Sequence, residues 1–257
     1  PILQEANVIH FGDYDPVGLN EFCRLDAALG RRASLFIPDG IERVLNEERK
    51  IDGDAEPSTA VFYSISNCHL GLTGVSLGDL LIKSVAEQLS GELGNLTRFA
   101  TLSPLPGLRR WLEHGLETER VALRPTEAEQ LSPGQPDQAL ATLADLVQGP
   151  APSGDDPRLE RARPALMRLA AHYLLHQRSD TRALDPVAHF HLSNGASIDQ
   201  LNWQANPTAA GWERGLGIMV NYRYRLRQIE RNHDRYLDEG EITASDAVRR
   251  LVSNEQS

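Results

Sequence analysis

The sequence predicts a mixed α/β (α+β) fold, and three observations carry that expectation. Short β-branched and aromatic runs alternate with amphipathic helical patterns through the first 120 residues. Gly- and Pro-rich turns separate them. With 257 residues, 40% hydrophobic and 24% charged, the chain can bury a substantial core and has the balance of an ordinary soluble globular protein.

In order along the chain, "NVIHFGDYD", "LNEFCRLDAAL", "ASLFIPDG" and "IERVLNEERK" make a compact β-α-β-α pattern over residues 1–52. The polar "DGDAEPS" reads as a junction, so the expected division is an atypical segment 1–52 and a main domain 53–257. Then come a strand, "TAVFYSISN", a Gly-rich turn, "GLTGVSLG", and a helix, "DLLIKSVAEQLSGEL", whose Leu81, Val85 and Leu89 form one apolar stripe. "TRFATLS" is a strand, "PLPG" a turn and "LRRWLEHGL" a helix. Residues 121–183 read as mainly helical, broken at "QGPAPSGDDP", with "RLERARPALMRLAAHYLLHQR" the strongest helix. "VAHFHLSNGASIDQLNWQAN" reads as two strands joined by an Asn-Gly hairpin turn. "GIMVNYRYRL" follows as strand or helix.

A formal net charge of -10 argues against a general nucleic-acid or membrane-surface binder. Cys23 and Cys68 are too few for a disulfide framework or a cysteine zinc site, and suit a reducing compartment. No apolar run of bilayer length, signal peptide or lipidation address is read, so the expected location is cytoplasmic. Starting at Pro1 rather than Met, the chain is expected to lack its natural beginning.

Several stretches carry candidate chemistry. In "NCHLGLTGVSLGDLL", glycines at 71, 74 and 78 between a strand and a helix would let backbone N–H groups approach a phosphate; a tight turn is the plainer reading. The stretch has neither the Walker ending nor the Rossmann spacing. Ser103, at a strand end before Pro-Leu-Pro-Gly, is open to three roles: nucleophile, donor to a substrate oxygen, or turn cap. His189 and His191, two apart on the expected strand, would share a face. They lack the further ligands of a zinc site, and acid-base work stays open beside a structural role. Tyr222 and Tyr224 alternate similarly, as packing residues or hydrogen-bond donors. Asp13 and Asp15 at a strand end have the spacing of a Mg²⁺ pair or of an Asp-Pro turn.

Four blocks, "TAVFYSISNCHLGLTGVSLGDLLIKSVAEQL", "LSPLPGLRRWL", "DPVAHFHLSNGASIDQLNWQANPTAAGWERGLGIMVNYRY" and "YLDEGEITASDAVRRLV", closely resemble malonyl-CoA decarboxylase, in the same order and over roughly residues 59–255. The resemblance implies a GNAT-like acyl-CoA-binding fold, with a helical insertion between the Ser and His motifs. It implies three catalytic residues: Ser103 in Ser-Pro-x-Pro-Gly, His191 ahead of Leu-x-Asn-Gly, and Tyr224, the second tyrosine of Asn-Tyr-Arg-Tyr. It implies that Gly71, Leu72, Thr73, Gly74, Val75, Ser76 and Leu77 receive the CoA pyrophosphate. Ser76 stands where some relatives carry glutamate. Residues 1–50 do not resemble the family's helical oligomerisation domain. "VIHFGDYDPVGLNEF" is instead similar to the Asp-x-Asp segment of Toprim-like metal-binding domains, although that fold's separate glutamate motif cannot be placed.

The function so implied is decarboxylation of malonyl-CoA to acetyl-CoA and CO2 through a thioester enolate. No metal or other cofactor is expected, because the thioester carbonyl itself accepts the electron pair. The expected partner is malonyl-CoA, with neither nucleic acid nor membrane, and homo-oligomerisation is left open. The competing classes are a GNAT-type acyltransferase, which needs an acceptor amine, a non-catalytic acyl-CoA-binding module and, more remotely given the acidic charge and the missing glutamate motif, a Mg²⁺-dependent nucleic-acid enzyme anchored on Asp13 and Asp15.

Overall fold

The computed structural model describes residues 58–63, 77–92 and 94–253, with side chains of the first helix described from Ile82 onward. The expectations for residues 1–52, Asp13, Asp15, Cys23, Cys68 and the loop 71–76 lie outside the described residues.

The described chain builds a four-stranded sheet flanked by helices. Strands β1 (Thr59–Tyr63) and β2 (Arg98–Pro104) run parallel, joined through helix α1 (Leu77–Glu92). This is the β-α-β unit that the alternating pattern predicts, because parallel neighbours need a long crossover. Buried Ile82 and Ala86 centre the apolar face of α1, with Val85 and Leu89 partly buried beside them.

Helices follow β2 and lie between Ser103 and the next strands of the sheet. They are α2 (Leu108–Glu117), α3 (Pro125–Leu131), α4 (Ala139–Gln148) and α5 (Pro157–His176). Asp156 caps α5 by accepting the Arg158 N–H, and Pro157 opens its first turn, where no N–H is needed. Leu159, Ala162, Leu166, Leu169, Tyr173 and Leu174 then bury one face at helical spacing. α3 docks on α5 through a two-pronged pair, Arg168 Nε to Glu127 Oε1 at 2.6 Å and Nη2 to Oε2 at 2.7 Å. The segment 149–156 between α4 and α5 is irregular, with Ser153, Gly154 and Asp155 exposed.

After a short hairpin of β3 (Arg178–Ser179) and β4 (Arg182–Ala183) comes α6 (Pro186–Ser193). Here the structure corrects the sequence expectation: "VAHFHLS" is a helix, not the first strand of a hairpin. Asp185 accepts the Val187 and Ala188 N–H groups and Pro186 occupies the first turn. At the other end, Gly195 N–H donates to Leu192 O, and Ala196 N–H donates to His191 O, with Gly195 at φ +76°. That is a Schellman termination. Asn-Gly serves hairpins and helix ends alike because both need a residue at positive φ, so the dipeptide alone could not choose.

β5 (Ser197–Asn202), α7 (Ala209–Gly215), β6 (Met219–Tyr224), α8 (Ile229–Glu239) and α9 (Asp246–Val252) complete the chain. The sheet order is β1-β2-β6-β5, with β6 antiparallel to both neighbours. One half of the sheet therefore precedes segment 149–156 and the other follows it. Register pairs Phe99 with Tyr224 and Ser103 with Val220. Period-2 alternation then places Thr101, Ser103, Tyr222 and Tyr224 on one face.

Candidate active site

Ser103 lies at the carboxyl end of β2, 4% exposed, on the buried central part of the sheet. The turn after it is held tightly. Gly107 packs so closely that a Cβ there would lie 2.2 Å from the Tyr173 hydroxyl. Arg109, two residues on, is buried and bonds Glu113, Glu213 and the carbonyls of Gln148 and Gly149 at the end of α4. The Pro-Leu-Pro-Gly turn is thus fixed by α2 on one side and by tertiary contacts on the other.

α6 brings His191 over the same face. His191 Nε2 lies 2.9 Å from Ser103 Oγ, and Nδ1 lies 2.8 Å from the Tyr224 hydroxyl. Ser103 Oγ donates its single hydrogen to Thr101 Oγ1 at 2.9 Å. A hydroxyl has only one hydrogen, so Nε2–H must be the donor toward Ser103 and Nδ1 the acceptor from Tyr224. Thr101 Oγ1 also accepts the Tyr222 N–H at 3.3 Å, which ties this end of the chain of bonds to the sheet.

The imidazole is packed on every side that matters. Tyr222 stacks on it at 4.4 Å and 25°, and Phe190 meets it edge-on at 5.0 Å. His191 is 2% exposed, and burial alone pushes its pKa down to about 3, so the ring is neutral at pH 7. Burial likewise drives the Tyr222 phenol upward. Its hydroxyl is buried without a hydrogen-bond partner among the described residues.

The structure therefore brings together Ser103, His191 and Tyr224, and it separates the two histidines. On a helix, residues two apart lie about 200° around the axis. His189 consequently faces α8, where Nδ1 is 2.8 Å from the Tyr236 hydroxyl. The shared face expected from a strand does not exist. Tyr222 and Tyr224 do alternate on a strand, and both contact His191. Leu77 opens α1, so the Gly-rich stretch leads directly into a helix N-terminus, while residues 71–76 lie outside the described residues.

Two residues in this arrangement were not legible beforehand. Thr101 reads as an ordinary strand residue, although it shares a face with Ser103. Asp185 carried a signal, Asp-Pro at a helix start, which the strand reading of the following segment hid. Among the described residues, no group of three or more His, Cys, Asp or Glu is placed to hold a metal ion, and no helix is long and apolar enough to cross a membrane.

Comparison with known proteins agrees with this geometry. The family model of the malonyl-CoA decarboxylase C-terminal domain matches residues 27–257, a span that takes in the "IPDGIERVLNEER" stretch as well as the blocks from residue 59. The mitochondrial malonyl-CoA decarboxylase of Anser anser anser is 35% identical over 228 residues, which is 86% of this chain and 45% of that protein. The Rattus norvegicus enzyme is 38% identical over 210 residues, 78% of this chain and 42% of that one. The chain thus spans less than half the length of these curated relatives. Crystal structures of malonyl-CoA decarboxylase from Rhodopseudomonas palustris and Agrobacterium vitis align with TM-scores of 0.66 and 0.67 at 40% and 37% identity. The alignments cover 79% and 86% of this chain, and 45% and 52% of theirs. With its sheet, its buried Ser-His-Tyr chain of hydrogen bonds and this match, the chain belongs to the malonyl-CoA decarboxylase C-terminal domain family.

Proposed function

We propose that this chain decarboxylates malonyl-CoA to acetyl-CoA and CO2. The observation that carries the reading is the continuous run Tyr224–His191–Ser103–Thr101, buried on one sheet face at a strand's carboxyl end, where α/β folds meet their ligands. The family supplies the substrate class.

In the reaction, the bond between the malonyl α-carbon and its carboxylate breaks. The electron pair passes into the thioester carbonyl, giving an enolate, and CO2 leaves. A proton then adds to the α-carbon, so one proton is consumed overall. A neutral, buried imidazole suits the last step. Ser103 Oγ turns its hydrogen from Thr101 to the α-carbon, and His191 passes its Nε2 hydrogen to Ser103 and takes the Tyr224 hydrogen at Nδ1, so the ring stays uncharged. The Tyr224 phenolate then regains from solvent the one proton consumed. Ser103 Oγ is the atom of this relay that meets the substrate. Positioned proton delivery of this kind contributes roughly 10²–10⁴-fold. Exclusion of water by the surrounding tyrosines keeps the departing carboxylate poorly solvated.

The GNAT-like reading draws support from the parallel β1–α1–β2 crossover followed by antiparallel strands. In it, Gly71 to Leu77 cradle the CoA pyrophosphate at the α1 N-terminus, the helices between Ser103 and His191 are an insertion, and the catalytic unit occupies residues 53–257. No metal or added cofactor takes part, because the thioester is the electron sink. The two cysteines suit the cytoplasmic location expected from sequence, while the vertebrate relatives are named as mitochondrial.

Incubation of the 257-residue chain with malonyl-CoA and no added metal tests the proposal. Stoichiometric acetyl-CoA and CO2 are expected. Transfer of the acyl group to an added amine with no CO2 would instead make it an acyltransferase. CoA-ester binding without turnover would make it a binding module.

A further inference from the structure

We propose that Asp185 is a positioning residue for this site, tying the turn that follows Ser103 to the helix that carries His191. The inference rests on the decarboxylase reading for its kinetic consequence, but not for its geometry.

Asp185 is 1% exposed and uses both carboxylate oxygens. Oδ1 accepts the Val187 and Ala188 N–H groups at 3.0 Å each, which starts α6. Oδ2 accepts the Gly107 N–H at 3.3 Å and the Tyr173 hydroxyl at 3.4 Å. Gly107 closes the Ser103-Pro-Leu-Pro-Gly turn, so one side chain bridges the two elements that bear Ser103 and His191. The Tyr173 hydroxyl covers the bridge, and it leaves no room for a Cβ at residue 107.

Capping alone does not account for this residue. A helix start is served equally well by serine, as Ser245 does for α9 in this chain. Burying a carboxylate is costly unless donors or a cation compensate, and no Lys or Arg pairs with Asp185 among the described residues. The second oxygen is what serine lacks, and that oxygen reaches the Ser103 turn. Losing it frees the turn to move relative to α6 while the helix keeps its start. Misplacement of reacting groups by about 1 Å lowers turnover on the order of 10²-fold.

D185S and D185N separate the two roles. Serine retains the cap and is too short for Gly107. Asparagine retains one acceptor and sets an NH2 group against the other amide. In the ligand-free chain, the ¹⁵N resonances of the His191 ring are expected to leave their wild-type positions in both variants, because the Ser103 contact loosens. With malonyl-CoA, kcat is expected to fall roughly 10–100-fold with KM within about twofold, and the thermal midpoint to stay within about 4–8 °C. Wild-type ring resonances and wild-type kcat would make Asp185 a cap only and overturn the proposal. So would unfolding of both variants, or a loss of kcat matched by a loss of folded protein. If the wild-type chain releases no CO2, the functional reading fails on its own, and the ring resonances still decide the tie.

Discussion

Ser103 Oγ and His191 Nε2 stand 2.9 Å apart across 88 residues of sequence, the one delivered by a strand end and the other by an eight-residue helix. In the proposed relay, S103A removes the oxygen through which the proton reaches substrate, and H191N removes the ring that supplies it. Both variants are expected to lose at least about 10²-fold in kcat. CoA affinity, measured by calorimetry, should stay within severalfold, because neither side chain belongs to the proposed pyrophosphate loop. Wild-type turnover by either variant would end the assignment.

In the proposed relay, Tyr224 acts through His191 rather than on substrate. Y224F deletes the donor to Nδ1 and leaves the ring's packing intact. Turnover is expected to drop about 10-fold or more, with KM nearly unchanged and stability lower by about 1 kcal/mol, the ordinary net worth of one hydrogen bond. Steady-state kinetics beside urea denaturation checks both halves.

The neutral state of His191 sets a direction for acid stability. Its folded pKa, about 3, lies well below the free value of 6.5, because burial penalises the charged ring. Between those values the unfolded chain binds the extra proton and the native one does not. Stability is therefore complete above about pH 6.5 and declines as pH falls toward 3, by up to about 1.4 kcal/mol per pH unit from this residue. Urea midpoints from pH 7 to 5 should slope less in H191N than in the wild type.

The end of α6 is predicted to be more demanding than its φ value alone. Gly195 and Gly134 both have positive φ, +76° and +73°. A Cβ at 195 would lie 2.2 Å from Ile229 O, whereas nothing lies within 4 Å of one at 134. G134A should destabilise by about 1 kcal/mol, from strain only, and G195A by clearly more. Equal losses in thermal melts would contradict the packing role of Gly195.

Much of the fold could be read directly. The apolar faces of α1 and α5 repeat at helical spacing over 16 and 20 residues, and the short β-branched and aromatic runs of β1 and β2, bounded by turn residues, read as strands by length and composition. α6 could not be read that way. It spans eight residues, so its apolar positions fit either period, and its helical state is decided at the two ends by Asp185-Pro186 and Gly195. Ser103, His191 and Tyr224 were picked out by resemblance, since spacing in sequence holds no information about a contact closed through the sheet. The geometry then explained why His191 differs from its neighbour His189: the helix turns them to opposite sides. Thr101 and the bridging oxygen of Asp185 were invisible because their partners arrive only with tertiary packing.

β1 and β2 precede the exposed loop at 149–156, and β6 and β5 follow it. A nick at Gly154 would therefore divide the sheet along the β2–β6 seam, leaving the serine on one polypeptide and the imidazole and phenol on the other. Neither fragment would contain the whole hydrogen-bonded run from Tyr224 to Thr101.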